Sequence, residues 1–428
     1  MLRILKYNEE NRNKVLEELK NREVKESEEV LKSVNEILNK VKAEGDKALS
    51  YFTNLYDGVQ LESILVSKDE SEEAFLKVEK EFIEALEKAK ENIKVFHEKQ
   101  KLNSWIQTND SGVFMGQRVI PLERVGVYVP GGTAAYPSSV LMNVIPAKVA
   151  GVSSVAMITP PMKDGKVNPY ILAAAKIAGV DEIYKVGGAQ GIGALAFGTE
   201  SIKAVDKIVG PGNIYVATAK KLVFGTVDID MIAGPSEILV IADEKAKKEY
   251  VAADMLSQGE HDVLASSILL TTSEKLLNEV CQEMEKQTQN LERKDIIKKS
   301  MEKFGIGILC ESIEECVKLS NIISPEHLEL MIENPMELLG KVKNAGSVFL
   351  GYYTPEPVGD YFGGPNHVLP TSGTARFFSA LSTDSFIKKS SFIYYTREEL
   401  IKASKDIITL ADKEGLTAHG NSIKVRLD

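Results

Sequence analysis

From Arg124 onward the chain repeats one unit: a short β-branched run that stops at or near glycine, then an Ala-rich stretch with apolar residues three and four apart. The pattern predicts strands over 125–129, 155–158, 182–186 and 207–209, and helices over 138–150, 169–178, 190–197 and 214–222. Repeated strand–helix units of this length pack as a parallel sheet with right-handed crossovers, so this stretch reads as Rossmann-like. A second series starts at Glu237, with strands over 238–241, 266–271, 306–309 and 347–350, a helix near 246–258 and another from Pro325. The expected fold class is therefore α/β, with two nucleotide-fold-like lobes.

The flanking segments are different. Residues 1 to about 104 are rich in Lys and Glu, and Val30, Leu31, Val34, Ile37, Leu38 and Val41 recur as one apolar helix face does. Residues 351–376 carry Gly, Pro and Thr without periodicity and read as a long ordered loop, uncommon unless functional. A strand, a helix and a turn end the chain. The 428 residues allow two or three domains at about 150 residues each.

Charge and cysteine usage narrow the function. With 52 Lys+Arg against 62 Asp+Glu the formal net charge is -10, which disfavours non-specific nucleic-acid binding. Cys281, Cys310 and Cys316 are an odd number without CxxC spacing, so neither a disulfide framework nor a thiolate metal cluster is expected, and a reducing cytoplasm fits. The first ten residues turn acidic before any apolar run forms, and no stretch reaches the ~20 apolar residues of a membrane span. The sequence predicts neither an export signal nor a membrane helix.

Histidine is scarce, which lets His97, His261, His327, His367 and His419 be weighed one by one. His97, among Glu98, Lys99 and Lys101, reads as a solvated surface residue. Gln258 and His261, three apart near a helix end, present both side chains to one point, as metal ligands do; the same spacing suits a helix-end histidine bonded to Glu260. Ser324-Pro325-Glu326-His327 reads as a helix start, with Ser as N-cap and Pro at the first position. There the positive end of the dipole would hold Glu326 ionised and His327 neutral, both able to accept a proton, or Glu326 would merely complement the dipole. Asp360, flanked by glycines in the long loop, can approach a ligand or close an Asx turn. Glu414 and His419 place another carboxylate and another imidazole near the C-terminus.

Three strand-then-glycine turns, around 129–133, 187–193 and 210–213, present backbone N–H groups as phosphate sites do. Gly191-Ile192-Gly193-Ala194-Leu195-Ala196 matches GxGxxA but lacks the acidic residue expected about 20 positions on, so it is only a partial dinucleotide fingerprint. No GxxxxGK[ST] is present, which disfavours a P-loop ATPase or kinase. No cysteine lies in a glycine-rich turn, so an aldehyde would be oxidised through activated water rather than a thiol adduct.

Taken in order, Arg124–Gly132, Gly187–Ile192, Gly210–Asn213, Ala233–Glu237, Gln258–Asp262, Pro325–Leu328, Gly359–Tyr361 and Glu414–His419 closely resemble the histidinol dehydrogenase family, from about residue 25 to the C-terminus. The resemblance implies two Rossmann-like, aldehyde-dehydrogenase-like lobes with a helical N-terminal segment and an extended C-terminal dimerisation tail. Its domain limits are an arm over 1–25, a larger lobe over 26–127 plus 237–380 bearing the zinc and catalytic residues, an NAD-side lobe over 128–236 and a tail over 381–428.

The resemblance also implies a zinc enzyme, one ion per subunit, that oxidises L-histidinol to L-histidine by way of the aldehyde in two NAD-linked steps, ending histidine biosynthesis. The family's zinc ligands fall on Gln258, His261, Asp360 and His419, which also face the substrate together with Ser236, His327 and Glu414; its NAD contacts fall on Tyr128, Gln190 and Asn213. Glu326 and His327 take the catalytic roles, His327 accepting the hydroxyl proton and Glu326 activating water. A homodimer is implied, with Glu414 and His419 completing the partner's site, while His367 receives no role and reads as structural. The rivals are a relative that oxidises another amino or sulfonated alcohol, against whose anionic form Glu414 speaks, and a zinc hydrolase. A non-catalytic scaffold would leave the metal shell and base pair unexplained.

Overall fold

In the computed structural model, which describes residues 1–7, 13, 15, 27–131 and 135–427, both strand series lie in wholly parallel sheets. The expected N-terminal arm falls largely outside the described residues, as do Gly132 and Thr133 of the first glycine turn. The chain divides into two units, Met1–Gln100 with Leu122–Phe386, and Lys101–Pro121 with Ile387–Asp428.

The first unit holds both parallel sheets. The five-stranded sheet runs β6 (Glu182–Lys185), β5 (Ser154–Thr159), β4 (Arg124–Tyr128), β7 (Lys207–Val209), β8 (Asp228–Ile229). The six-stranded sheet runs β1 (Arg3–Lys6), β11 (Gly305–Leu309), β10 (Ser266–Thr271), β9 (Glu237–Ala242), β12 (His327–Met331), β13 (Ser347–Leu350). Their central strands are buried on both faces, which is why they read as continuous apolar runs rather than alternating ones. Edge strand β1 aside, each sheet reverses its strand order once, between β4 and β7 and between β9 and β12. Such switch points open a crevice where α/β folds bind ligands.

Local chemistry sets the helix limits. Ser27 caps Glu28–Glu44 by accepting the Val30 N–H, and Val34, Leu38 and Val41 from that helix bury against Ile158, Ile192 and Leu195 of the five-stranded lobe. Asn168, Asn213, Ser273 and Ser312 cap later helices in the same way. The second unit is an antiparallel sheet, β14 (Ile387–Tyr394), β3 (Phe114–Pro121), β2 (Trp105–Thr108), with helices Arg397–Lys413 and Thr417–Lys424. Among the described residues no helix is long and apolar enough to cross a membrane.

Three expectations are corrected. Pro325 does not open a helix: Ser324 closes the helix Ile313–Ile323 in a left-handed conformation, φ 54, and the chain enters β12 at His327. Periodicity cannot separate a short buried strand from a helix start, and pairing with β9 and β13 decided it. The presumed loop 351–376 contains the helix Glu356–Tyr361, so Asp360 is helical. His97 is fully buried; it bonds Gln100 at 2.7 Å through Nδ1 and Asn366 at 3.4 Å through Nε2, because its helix covers the five-stranded lobe on that side.

The turn after β7 depends on a buried ion pair. Lys220, 2% exposed, donates to the Gly210 carbonyl at 2.9 Å and pairs with Asp230, which accepts the Gly210 N–H at 2.8 Å. Lys220→Met would strand that carboxylate, and urea unfolding should show about 3–5 kcal/mol of lost stability. A loss below about 1 kcal/mol, the worth of an exposed pair, would mean the pair does not hold the turn.

Candidate active site

One peptide organises the centre of the first unit. At the start of β9, the Glu237 N–H donates to Glu326 Oε2 at 2.8 Å and the Glu237 carbonyl accepts from His327 Nδ1 at 3.0 Å. A carbonyl can only accept, so Nδ1 carries the imidazole hydrogen and Nε2 bears the lone pair. That Nε2 is buried without a hydrogen-bond partner and faces Asp360 Oδ1 at 3.8 Å and Glu356 Oε1 at 3.9 Å. Burial lowers the His327 pKa to about 3, keeping the ring neutral.

Burial thus favours a neutral His327, and the cause is desolvation on a strand, not a helix dipole. For Glu326 the expectation is overturned: burial raises its pKa well above the ordinary carboxyl value, with the Glu237 N–H opposing. Burial therefore raises the proton affinity of Glu326 instead of favouring its ionised form.

Gln258 and His261 do converge. Gln258 ends the helix Lys248–Gly259, His261 follows two residues past it, and Gln258 Nε2 lies 3.1 Å from His261 Nδ1. Gln258 Oε1 is buried with no partner. Asp360 comes from the helix Glu356–Tyr361, and burial pushes its carboxyl up to about 6. His261, Glu356 and Asp360 each offer a ligand atom within 4.8 Å of the others. Unpartnered buried oxygens and imidazole nitrogen around one point form an O/N donor set that fits a divalent cation such as zinc. His367 Nδ1 donates to the Asp360 carbonyl at 3.0 Å, and Nε2 lies 3.4 Å from Ser139 Oγ.

Sequence reasoning missed Glu356, Glu329 and Asp254. Glu356 is 1% exposed, and burial with the Asp360 charge pushes it up to about 8. Its signal was the spacing to Asp360, four residues on one helix face. Ser236 immediately precedes β9 and is half-buried. Glu414 and His419 belong to the second unit and are both exposed. None of the cysteines carries a site element: Cys281 is half-buried on the helix Glu274–Thr288, while Cys310 and Cys316 are buried in the core beneath the six-stranded sheet.

At the other switch point, Tyr128 ends β4, its hydroxyl accepting the Gly188 N–H, and burial pushes its pKa up to about 12. Gly188 opens the next helix at φ +61, and Gln190 is buried with Oε1 unpartnered. Asn213 caps the helix Ile214–Val223, accepting the Tyr215 and Val216 N–H groups. Gly210, at φ +114, comes so close to the Tyr128 carbonyl that a Cβ would sit 2.1 Å from its oxygen. Backbone contact thus brings the ends of β4 and β7 together.

Residues 20–427 match the family described as histidinol dehydrogenase. The chain is similar to the histidinol dehydrogenase of Clostridium acetobutylicum, 57% identical over 426 residues, covering 100% of this chain and 99% of the relative. It is also 57% identical over 417 residues to that of Listeria monocytogenes serotype 4b, covering 97% of each. The crystal structure of histidinol dehydrogenase from Elizabethkingia anophelis is similar with a TM-score of 0.94 at 42% identity, covering 100% of this chain and 98% of that one.

The buried acids set a pH dependence. Glu356 keeps its proton in the fold to about pH 8, whereas an unfolded glutamate loses it near 4.3. Between those values the folded state binds more protons, so this contribution to stability falls as pH rises. His327 and His367, with folded values of about 3 and about 4, act in the opposite sense but only below about 6.5, where an unfolded histidine protonates. In chelator, urea unfolding from pH 6.5 to 8 should therefore show falling stability, and Glu356→Gln should remove up to about 1.4 kcal/mol per pH unit of that slope. A slope indifferent to the substitution would assign it to other groups.

Proposed function

Because this chain belongs to the histidinol dehydrogenase family, NAD-dependent oxidoreductases of histidinol, we propose that it converts L-histidinol to L-histidine in two successive NAD-linked oxidations at a zinc site, the last stage of histidine biosynthesis. The observation that carries this reading is His327 Nε2, a neutral, buried base with no partner, aimed at the Asp360 and Glu356 carboxyls.

His327 Nε2 takes the proton of the substrate hydroxyl as hydride leaves its carbon, and the Glu237 carbonyl on Nδ1–H stabilises the imidazolium that forms. Glu326 then removes a proton from the water that adds to the aldehyde, and the hydrate passes its hydride to a second NAD while His327, having released the first proton to solvent, takes the hydrate's hydroxyl proton. A carboxyl with a raised pKa is well matched to that task, because once ionised it is a stronger base than an exposed glutamate. Zinc held by Gln258, His261, Asp360 and His419 would grip the substrate's imidazole and amino nitrogens and favour ionised carboxylates around it. Tyr128, Gln190 and Asn213, grouped at the β4–β7 switch point, would hold NAD.

Glu414 and His419, exposed in the isolated chain, would act in the partner's site of a homodimer, with Glu414 facing the substrate's cationic groups. Three free cysteines suit a cytoplasmic setting.

Counting NADH against histidinol consumed should give about two per substrate, as two hydride steps require, with loss on chelation and recovery with zinc. His327→Asn should lower kcat by about 10²–10⁴-fold. Glu326→Gln should slow histidine formation by about 10²-fold or more while NADH from the first step persists, so that NADH per histidine rises. No NADH from folded, zinc-loaded protein would reject histidinol as the substrate.

A further inference from the structure

Three separate elements carry the proposed ligands and base: β12 holds His327, the helix Lys248–Gly259 holds Gln258, and the helix Glu356–Tyr361 holds Asp360. One buried side chain meets all three. Glu329 lies two residues after His327 on β12, so it leaves the same face of the strand, and it is 1% exposed. Its Oε1 accepts the backbone N–H of Glu356 at 2.9 Å. That N–H opens a helix whose N-cap is Pro355, which offers no side-chain cap, so the capping oxygen comes from another strand.

Glu329 Oε2 is buried and meets no donor. Its neighbour is the Asp254 carboxyl, one helical turn before Gln258. Two carboxylates buried side by side cannot both ionise, so the pair is satisfied only when one proton sits between them. Burial and the neighbouring carboxyl accordingly raise Glu329 well above its ordinary value, and burial raises Asp254 to about 6.

We propose that Glu329 is the positioning residue of the metal shell: its carboxyl joins the helix bearing Asp360 and the helix bearing Gln258 to the strand bearing His327. This rests on Gln258 and Asp360 being metal ligands. One oxygen caps the start of the Asp360 helix and the carboxyl packs against Asp254 of the Gln258 helix, so losing it loosens both ligands together. Gln at this position keeps both links, since its amide oxygen accepts the Glu356 N–H and its amide N–H₂ donates to Asp254.

The test is zinc affinity of the full-length protein, measured by competition with a chromophoric chelator, alongside NADH binding by fluorescence. Glu329→Ala should weaken zinc by about 10–100-fold, as loss of a ligand's supporting hydrogen bond does, and Glu329→Gln should stay within about threefold of the unsubstituted protein. NADH affinity should hold in both. If Glu329→Ala does not fold, Glu329→Asp, one methylene short of both partners, replaces it with the same expected loss. Unchanged zinc affinity in the folded Ala or Asp variant, a Gln variant as weak as Ala, or parallel loss of zinc and NADH binding would each overturn the proposal. Asp360→Asn separates the two claims: unchanged zinc affinity there would reject the metal reading itself.

Discussion

The two hydrogen bonds of the Glu237 peptide govern the site. A backbone group cannot change its chemistry when side chains vary, and this one sits at the first residue of β9, between β10 and β12. Its carbonyl selects the His327 tautomer and its N–H orients Glu326. Both depend on parallel pairing of β12 with β9, in which His327 lies opposite Ile238. A shift of that register by one residue would turn His327 to the other face of the sheet. The proposed hydroxyl base and the proposed water-activating carboxyl are thus set by sheet geometry, and the sheet's apolar core keeps them there.

Around that peptide the molecule accumulates buried acids. Asp254, Glu326, Glu329, Glu356 and Asp360 all have raised pKa values, and burial is the first cause in every case. Burial makes negative charge costly here, and that cost raises the proton affinity of each of these groups. The arrangement suits a cation, whose charge would favour the ionised forms and release their protons. Neutral His327 belongs to the same economy of charge, since a protonated imidazole without a partner would be equally costly in this interior.

Much of the fold was legible because it rests on local regularities. The βα alternation, the glycines closing strands and the Asn and Ser caps put strands and helices within a residue or two of where they lie, as at β4, β7 and the helix Pro137–Ala150. The errors share a cause. Ser324-Pro325 carries the local signature of a helix start, yet pairing with β9 and β13 outweighs it. The 351–376 stretch has no helical period, yet Glu329 on a distant strand caps a helix within it. His97 sits among charges in the sequence but faces inward, where Gln100 and Asn366 receive its ring. No window of sequence contains the partner that decides each case.

By itself the sequence determined the α/β class, the three strand-ending glycine turns, the absence of a thiol suited to aldehyde adducts and the residue types of the proposed site, down to Gln258, His261, Glu326, His327 and Asp360. The class and the turns follow from periodicity and turn chemistry, properties of neighbours along the chain, whereas the site residues were joined into one set only by the resemblance to the family. Only the tertiary structure decided which nitrogen of His327 bears the lone pair, that burial raises the proton affinity of Glu326, and that Glu356, Glu329 and Asp254 are buried beside the proposed ligands. Tautomer and proton affinity depend on burial and on groups arriving from other strands, and those come together only when the sheets close.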